Sequence, residues 1–367
     1  MEKNLPAWKH WANSAHLLLT ALFIIRAIWH CMPIELDNDP ESMVMKHSGV
    51  IMIVSYYIQP IGGTVTSRMF SAQIWKIFKK FDVMDSKFKM LNCPSQHRKE
   101  NRFVLISTTC AIVGSFYSLM LYTVYPLEVD VEYVFELIYF TWHYSLSCVY
   151  ASSISYVLLE RWKLMNTTIS NKFPPCKLVR EVATASKINE DQQLKSLENI
   201  RFIVDELNET IDLVNSFFST QMLCCVGITF VIGVGCSFYL FRAFIYRNDQ
   251  LFMGAINFIW YMYYLSFVLL FIVTASKISD ESQRTGIIVH KAINFCHTSR
   301  TVVNELMIFS QQLLHYKPII TCGLFAYNGS LLYTMLGATA TYLIIMIQFD
   351  VSFPSLAIVN STEPQQL

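Results

Sequence analysis

Runs of apolar residues long enough to cross a bilayer dominate this 367-residue chain. A hydrocarbon core needs about 20 such residues per helix. Seven segments qualify: S1 from about Trp11 to Met32, S2 from His47 to Thr66, S3 from Phe103 to Tyr125, and S4 from Val134 to Leu159. S5 follows from Asn215 to Phe241, S6 from Leu251 to Ser276, and S7 from Gly323 to Phe349. S1 reads as a retained span and not a cleaved leader, because it carries Arg26 and two tryptophans and no small-residue cleavage site follows it. Only 15% of the chain is charged, against about 25% in soluble domains.

The charges are sorted along the chain, so the net charge of +1 conceals an orientation. Cytoplasmic loops collect Lys and Arg. Lys3 and Lys9 precede S1, nine bases from Arg68 to Arg102 separate S2 from S3, and eight from Arg161 to Arg201 separate S4 from S5. Five more, from Lys277 to Lys317, lie between S6 and S7. The S1–S2 loop carries Glu35, Asp37, Asp39 and Glu41 against Lys46 alone, and the S3–S4 loop carries Glu128, Asp130 and Glu132 with no base. One orientation therefore puts 24 of the 28 bases inside. It predicts an all-α membrane protein with seven transmembrane helices, a cytoplasmic N-terminus and an extracellular C-terminus. A rhodopsin-like receptor has the opposite orientation. By this topology the acceptor patterns at Asn166 and Asn208 are inside and unmodified, whereas Asn360 is outside.

The inner connections carry helical patterning. Leu194, Leu197, Ile200, Ile203, Val204, Leu207 and Ile211 recur every three or four residues, which predicts a charged helix from Ile188 running into S5. Ser276 to His315 reads the same way, and Pro318 ends it. Pro174-Pro175 separates the extension of S4 from the first of these helices.

Most of the ten cysteines lie in apolar stretches or inner connections and read as free buried thiols. The chain has no zinc-ligand spacing, phosphate-cradling glycine loop, nucleophile elbow or His-Glu-x-x-His, so no metal, cofactor or enzyme chemistry is expected, nor a nucleic-acid partner.

S7 has a stripe of small and polar residues. Ser330, Thr334, Gly337 and Thr341 recur at three or four residues, and the stripe continues through Ile344 or Ile345 to Gln348. Lipid does not reward such a face. Periodicity alone leaves two readings: a helix–helix interface built on small residues, or a pore lining.

Thr341-Tyr342, five apolar residues, then Gln348-Phe349 at the end of the last span resembles the signature of insect gustatory receptors. Gly323-Leu324-Phe325 and Gly337 look like the same pattern. The resemblance implies a tetrameric, ligand-gated, nonselective cation channel in the plasma membrane of a sensory neuron, its subunits identical or drawn from sister receptors. Gln348 and Phe349 would sit at the pore constriction with Thr341 and Ile344 or Ile345, and Tyr342 would face subunit packing. Inner helices around 188–214 and 277–316 would form an anchor. The implied organisation is S1–S4 with the ligand pocket over 1–160, anchor regions at 161–214 and 277–318, S5–S6 over 215–276, a pore helix at 319–349 and an outer tail at 350–367.

The outer halves of the spans are rich in aromatic and polar residues. Glu136, Tyr139, His143 and Ser147 share one face of S4, with Trp142 adjacent. Trp260, Tyr261 and Tyr264 cluster on S6, and Tyr57 and Tyr117 are the S2 and S3 candidates. Aromatic walls with a few placed polar groups build small-molecule sites, although aromatics also gather at membrane interfaces. Glu136 either lines a wet cavity or caps the start of S4, where the helix dipole favours an anion. The expected ligand is a small-molecule tastant, with a hydrophobic, bitter, alkaloid-like compound favoured over a sugar. A membrane transporter and a metabotropic chemoreceptor are the competing functions.

Overall fold

The computed structural model describes residues 43–69, 71–93, 97–124, 131–174, 190–246, 251–295, 299–316 and 318–360, with scattered positions between 15 and 26. S1 therefore lies almost wholly outside the described residues. Those described form eight helices and no strand: α1 Met43–Met69, α2 Ser71–Met90, α3 His97–Val124, α4 Val131–Lys172, α5 Glu190–Tyr246, α6 Leu251–Phe295, α7 Arg300–His315 and α8 Gly329–Asn360. Three of them contain stretches long and apolar enough to cross a membrane, within Glu190–Ile245, Gly254–Asn294 and Gly329–Val351. S2, S3 and S4 map onto α1, α3 and α4.

α5 continues unbroken for 57 residues, from the charged inner segment through S5. The inner stretch after S6 divides, contrary to the single helix expected from Ser276 to His315. Ser299 is extended and its hydroxyl accepts from the Val302 N–H, so it caps α7 as a new helix. α2 occupies the basic S2–S3 connection, where the sequence reading assigns no helix. Its Ile77, Phe81, Met84 and Phe88 are spaced four, three and four apart, and all are buried.

The last helix also starts later than the apolar run does. Residues 318–328 fold back on themselves, with Tyr327 N–H donating to Ile320 O at 3.0 Å and Cys322 N–H to Phe325 O at 3.2 Å. Gly323 supplies the positive φ of +86° that this turn requires. Asn328 Oδ1 then accepts from Leu331 N–H at 3.3 Å and opens α8. The helix runs beyond Phe349 to Asn360, into the part expected to be a tail.

One contiguous apolar core joins α2, α4, α5, α6 and α7. α5 touches the most elements, α1, α2, α4, α6, α7 and α8, while α4 packs against α1, α3, α5 and α6. Outside the core, α1 exposes Ile51, Val54 and Ile58, and α3 exposes Leu105, Val113 and Phe116. Apolar exposure on this scale suits lipid and not water. Cys110 is exposed on α3, contrary to the expectation of a buried thiol, whereas Cys148, Cys225 and Cys236 are buried and free.

α3 and α6 approach closely at Gly114. A Cβ there would lie 2.0 Å from Tyr263 Cε2. The Tyr263 ring cannot swing aside without loss, because its hydroxyl bonds Ser145 Oγ at 3.0 Å and Ala111 O at 3.1 Å. Gly114→Ala is therefore expected to cost about 1–3 kcal/mol through overpacking. The check is the melting temperature of the detergent-solubilised protein, which should fall.

Candidate functional site

Two regions hold the residues singled out from the sequence. The first is a polar seam between α1, α4, α5 and α6. Gln59 on α1 is only 2% exposed, and its amide spans two α4 residues. Its Nε2 donates to Ser147 Oγ at 3.1 Å, and its Oε1 lies 3.1 Å from His143 Nδ1. His143 sits against Gly63, where a Cβ would approach its Cε1 to 2.9 Å. One turn away, Tyr264 OH pairs with Thr141 Oγ1 at 2.9 Å. Tyr144 OH pairs with Thr229 Oγ1 at 2.6 Å and donates to Tyr264 O at 3.3 Å. Buried polar groups need such partners, since an unpaired one costs on the order of 1–3 kcal/mol.

The aromatic candidates distribute around this seam. The Tyr139 ring is 6.3 Å from His143 and 5.4 Å from Phe140, and Tyr57 meets Phe140 edge-on at 4.5 Å. Trp260 and Tyr264 lie 6.0 Å apart, and the Tyr144 and Tyr264 rings 4.3 Å apart. Trp260, Tyr261 and Tyr264 are all buried in the core. Tyr261 turns toward α5, where it closes over Gly233. Trp142 is half-buried beside His143, and Tyr117 is exposed on α3, away from the seam's polar contacts. Glu136 lies on α4, but its side chain is outside the described residues. Gln59 is not among the sequence candidates. An amide within an apolar span is the signal that marks it.

The second region is α8. Only 6% of its apolar window is buried against the chain, compared with 56% and 50% for the windows of α5 and α6. Leu331, Leu332 and Met335 pack on the core. Ser330, Thr334, Gly337 and Thr341 all face outward, as do Ile344, Ile345, Gln348 and Phe349. The Thr334 and Thr341 hydroxyls donate to the carbonyls of Ser330 and Gly337 at 3.0 Å, and a Cβ at Gly337 would meet nothing within 4 Å. Tyr342 packs edge-on against Phe230 of α5 at 5.8 Å and remains 52% exposed. Beyond the Gln348-Phe349 pair, buried Asp350 faces Arg242 of α5 at 3.5 Å.

The inner helices are laced together by polar contacts. Lys80 of α2 bonds Glu206 at 2.7 Å and Glu209 at 2.6 Å on α5. Burial opposes the Lys80 charge, yet these two carboxylates outweigh it and raise its pKa. Arg201 of α5 pairs with Glu305 of α7 at 3.0 Å. Tyr316 donates to Asp212 at 2.5 Å, and burial together with that carboxylate pushes its phenol up. Asn166, one of the two inner acceptor patterns, is buried and bonded to Glu281 and Thr285. Two cavities, of 660 and 540 Å³, lie among these inner helices.

Residues 8–353 match the sequence profile of the family described as 7tm chemosensory receptor. Among curated proteins, putative gustatory receptor 28b of Drosophila melanogaster is 24% identical over 86% of this chain and 72% of its own length. Putative gustatory receptor 28a is 28% identical over 46% of this chain, and the gustatory receptor for bitter taste 66a is 28% identical over 50%, both from the same organism. The matched regions span only 38% and 36% of those two relatives. Among solved structures, the insect olfactory receptor OR5 from Machilis hrabei superposes with a TM-score of 0.65 at 15% identity, over 90% of this chain and 88% of that one. The same receptor in complex with eugenol gives 0.61 over the same shares.

Proposed function

The chain belongs to the 7tm chemosensory receptor family, that of the insect gustatory and olfactory receptors, and from that premise we propose that it is a gustatory receptor working as a tetrameric, ligand-gated, nonselective cation channel. Members of this family are receptors and not enzymes. The observation that carries the channel reading is the state of α8. An apolar helix that buries 6% of its spanning window in its own chain, and turns its polar stripe outward, needs neighbours on that side. Four copies around an axis would place Thr341, Ile344 or Ile345, Gln348 and Phe349 on a common wall that water and cations wet when it opens. Tyr342, held against Phe230, lies where it would pack between helices.

The topology proposed is seven spans with the N-terminus inside, S1 to S4 and the ligand pocket over 1–160. The anchor is assigned to 161–214 and 277–318, S5 and S6 to 215–276, and the pore segment to 319–349, helical from Gly329. α2 adds to the anchor, because it is bound to α5 by Lys80. The proposed site of action is the plasma membrane of gustatory neuron dendrites.

The ligand is proposed to act at the seam of Gln59, His143 and Ser147 and the aromatics around it, Tyr57, Tyr139, Trp142, Trp260, Tyr261 and Tyr264, with Glu136 and Tyr117 as further candidates. A ligand opens the pore only by binding the open arrangement more tightly. The ligand class proposed is a small hydrophobic tastant, in keeping with the bitter-taste relative and with the aromatic eugenol bound by the structural neighbour. Gln59→Leu removes the amide that serves both His143 and Ser147. It is expected to shift the half-maximal ligand concentration by about fivefold or more, on the order of one net hydrogen bond, while surface expression stays within about twofold. Dose–response recordings check this, and an unshifted curve would remove the seam from the ligand site.

The function itself is tested by whole-cell recording of cells expressing the chain alone or with a sister receptor, against bitter compounds and sugars. Ligand-evoked cation current supports the channel. Substrate flux without current would mark a transporter, and a response abolished by blocking G proteins would mark a metabotropic receptor.

A further inference from the structure

The 660 Å³ cavity lies between α3, α4 and α6, about 20 Å further along α4 than Ser147 of the ligand seam, and nothing in the channel reading uses it. Its walls carry four cationic side chains: Lys99 from α3, Arg161 and Lys163 from α4, and Arg284 from α6. The three carboxylates that share it already have partners. Glu100 is held by Arg161 and by His97 at 3.3 Å, Glu160 by Lys163 at 2.8 Å, and Glu281 by Asn166 at 2.9 Å and Arg284 at 3.4 Å. Lys99 makes no ion pair among the described residues and is the wall's unpaired base, whereas Arg161 is shared between Glu100 and Asp85, the latter at 3.0 Å. Arg161 is 3% exposed, and its Nε–H has no acceptor among the described residues. The wall thus offers a buried donor that the protein itself does not satisfy, an expensive arrangement unless a ligand completes it.

The depth of the cavity identifies the ligand. At 1.5 Å per residue, Lys99 lies about 6 Å before the start of S3 at Phe103, and Lys163 about 6 Å beyond the end of S4 at Leu159. The headgroup layer on each side of the hydrocarbon is roughly 5–8 Å thick. Both lysines therefore stand at the level of inner-leaflet phosphates, and Arg284, about 12 Å beyond the end of S6 at Ser276, lines the cytoplasmic end of the cavity. The Lys163–Glu160 and Arg284–Glu281 pairs are both i,i+3 surface pairs, with the basic side chains 42% and 66% exposed. Such pairs are weak and can be re-aimed, whereas a guanidinium meets a phosphate with two parallel hydrogen bonds.

We infer that this cavity binds the phosphate of an anionic phospholipid headgroup from the inner leaflet. The inference rests on the membrane topology proposed above. Occupancy would tie the inner ends of S3, S4 and S6 together through one ligand and make the receptor responsive to lipid composition.

The test uses the full-length receptor, purified in detergent and incubated with radiolabelled phosphatidylserine or phosphatidylcholine. The wild type is expected to retain phosphatidylserine in preference to phosphatidylcholine. The variant carrying Lys99→Gln, Lys163→Gln and Arg284→Gln should bind phosphatidylserine about tenfold or more weakly, since each base near an anionic surface contributes on the order of fivefold. Lys99→Gln alone, at an exposed side chain, gives the same direction should the triple variant fail to purify as a single species. Lys291→Gln, exposed further along α6 and outside the cavity lining, should bind like wild type. Equal retention by wild type and cavity variants would overturn the inference and leave the channel reading untouched, because currents are recorded separately. Displacement of the lipid by millimolar glycerol phosphate, as effective as displacement by unlabelled phosphatidylserine, would overturn the lipid source in favour of a free phosphate.

Discussion

Replacing Arg161 by alanine is expected to destabilise the protein by about 3–5 kcal/mol, the usual cost of removing one partner from a buried ion pair. Arg161 bonds Glu100 and reaches Asp85 at 3.0 Å, and its guanidinium lies over the Phe81 ring at 5.2 Å. The arginine side chain is 4% exposed, and the two carboxylates are 10% and 14% exposed. Its removal strands two negative charges where little water reaches them and strips a cation from a core aromatic. The result should be low surface expression and a clearly lowered melting temperature. The triple change Arg161→Met, Glu100→Gln and Asp85→Asn removes the charges together and should recover much of the loss. If Arg161→Ala alone costs less than about 1 kcal/mol, the network is a solvated surface cluster and the packing of α2, α3 and α4 described above is wrong.

The second large effect is expected at Ile345. Its side chain faces away from the core of its own chain, at 38% exposure, so shortening it should leave folding and surface expression little changed. In an assembly of four chains the same change acts four times at a narrow apolar ring. A dry constriction blocks ions because water does not fill it, and smaller side chains lower that barrier. Each 1.4 kcal/mol taken from the closed-state preference raises the resting open population about tenfold. Ile345→Ala should therefore pass cation current without ligand, whereas Ile347→Ala, one position before the polar end of the stripe, should leak less. Equal silence of both variants in surface-expressed protein would place the gate elsewhere.

Much of this arrangement is legible in residue spacing. Leu194 through Ile211 announce a helix that does run unbroken into S5, because a single apolar stripe continues across the boundary between charged and apolar segments. The outward stripe of α8 is visible too, since Ser330, Thr334, Gly337 and Thr341 fall one turn apart. Other features are hidden for identifiable reasons. Leu324, Phe325 and Ala326 read as the start of the apolar run, so the small hairpin before α8 is absorbed into the helix; only the glycine and the Asn328 cap mark it. The start of α7 is marked by one hydroxyl, that of Ser299. α2 escapes notice because its lysines count toward orientation, while Ile77, Phe81, Met84 and Phe88 carry the helical signal beside them. Gln59 escapes because a search for a ligand site weighs aromatics and charges. A neutral amide with His143 and Ser147 as partners depends on three-dimensional proximity across 84 and 88 residues of chain. Cys110 reads as buried from its apolar neighbours, but an apolar neighbourhood on a lipid-facing helix is not a core.

The central claim is that the outward stripe of α8 lines a cation pore, and thiol modification at Gln348 tests it most directly. Gln348→Cys is combined with Ile345→Ala so that current flows without any ligand, and a positively charged thiol reagent is applied from outside during whole-cell recording. The account predicts progressive, irreversible block of the current in the double variant, and no block in Ile345→Ala alone, which keeps every native cysteine, the exposed Cys110 included. Current that persists undiminished after verified modification of the introduced thiol would show that ions do not pass this face of the helix and would contradict the pore assignment.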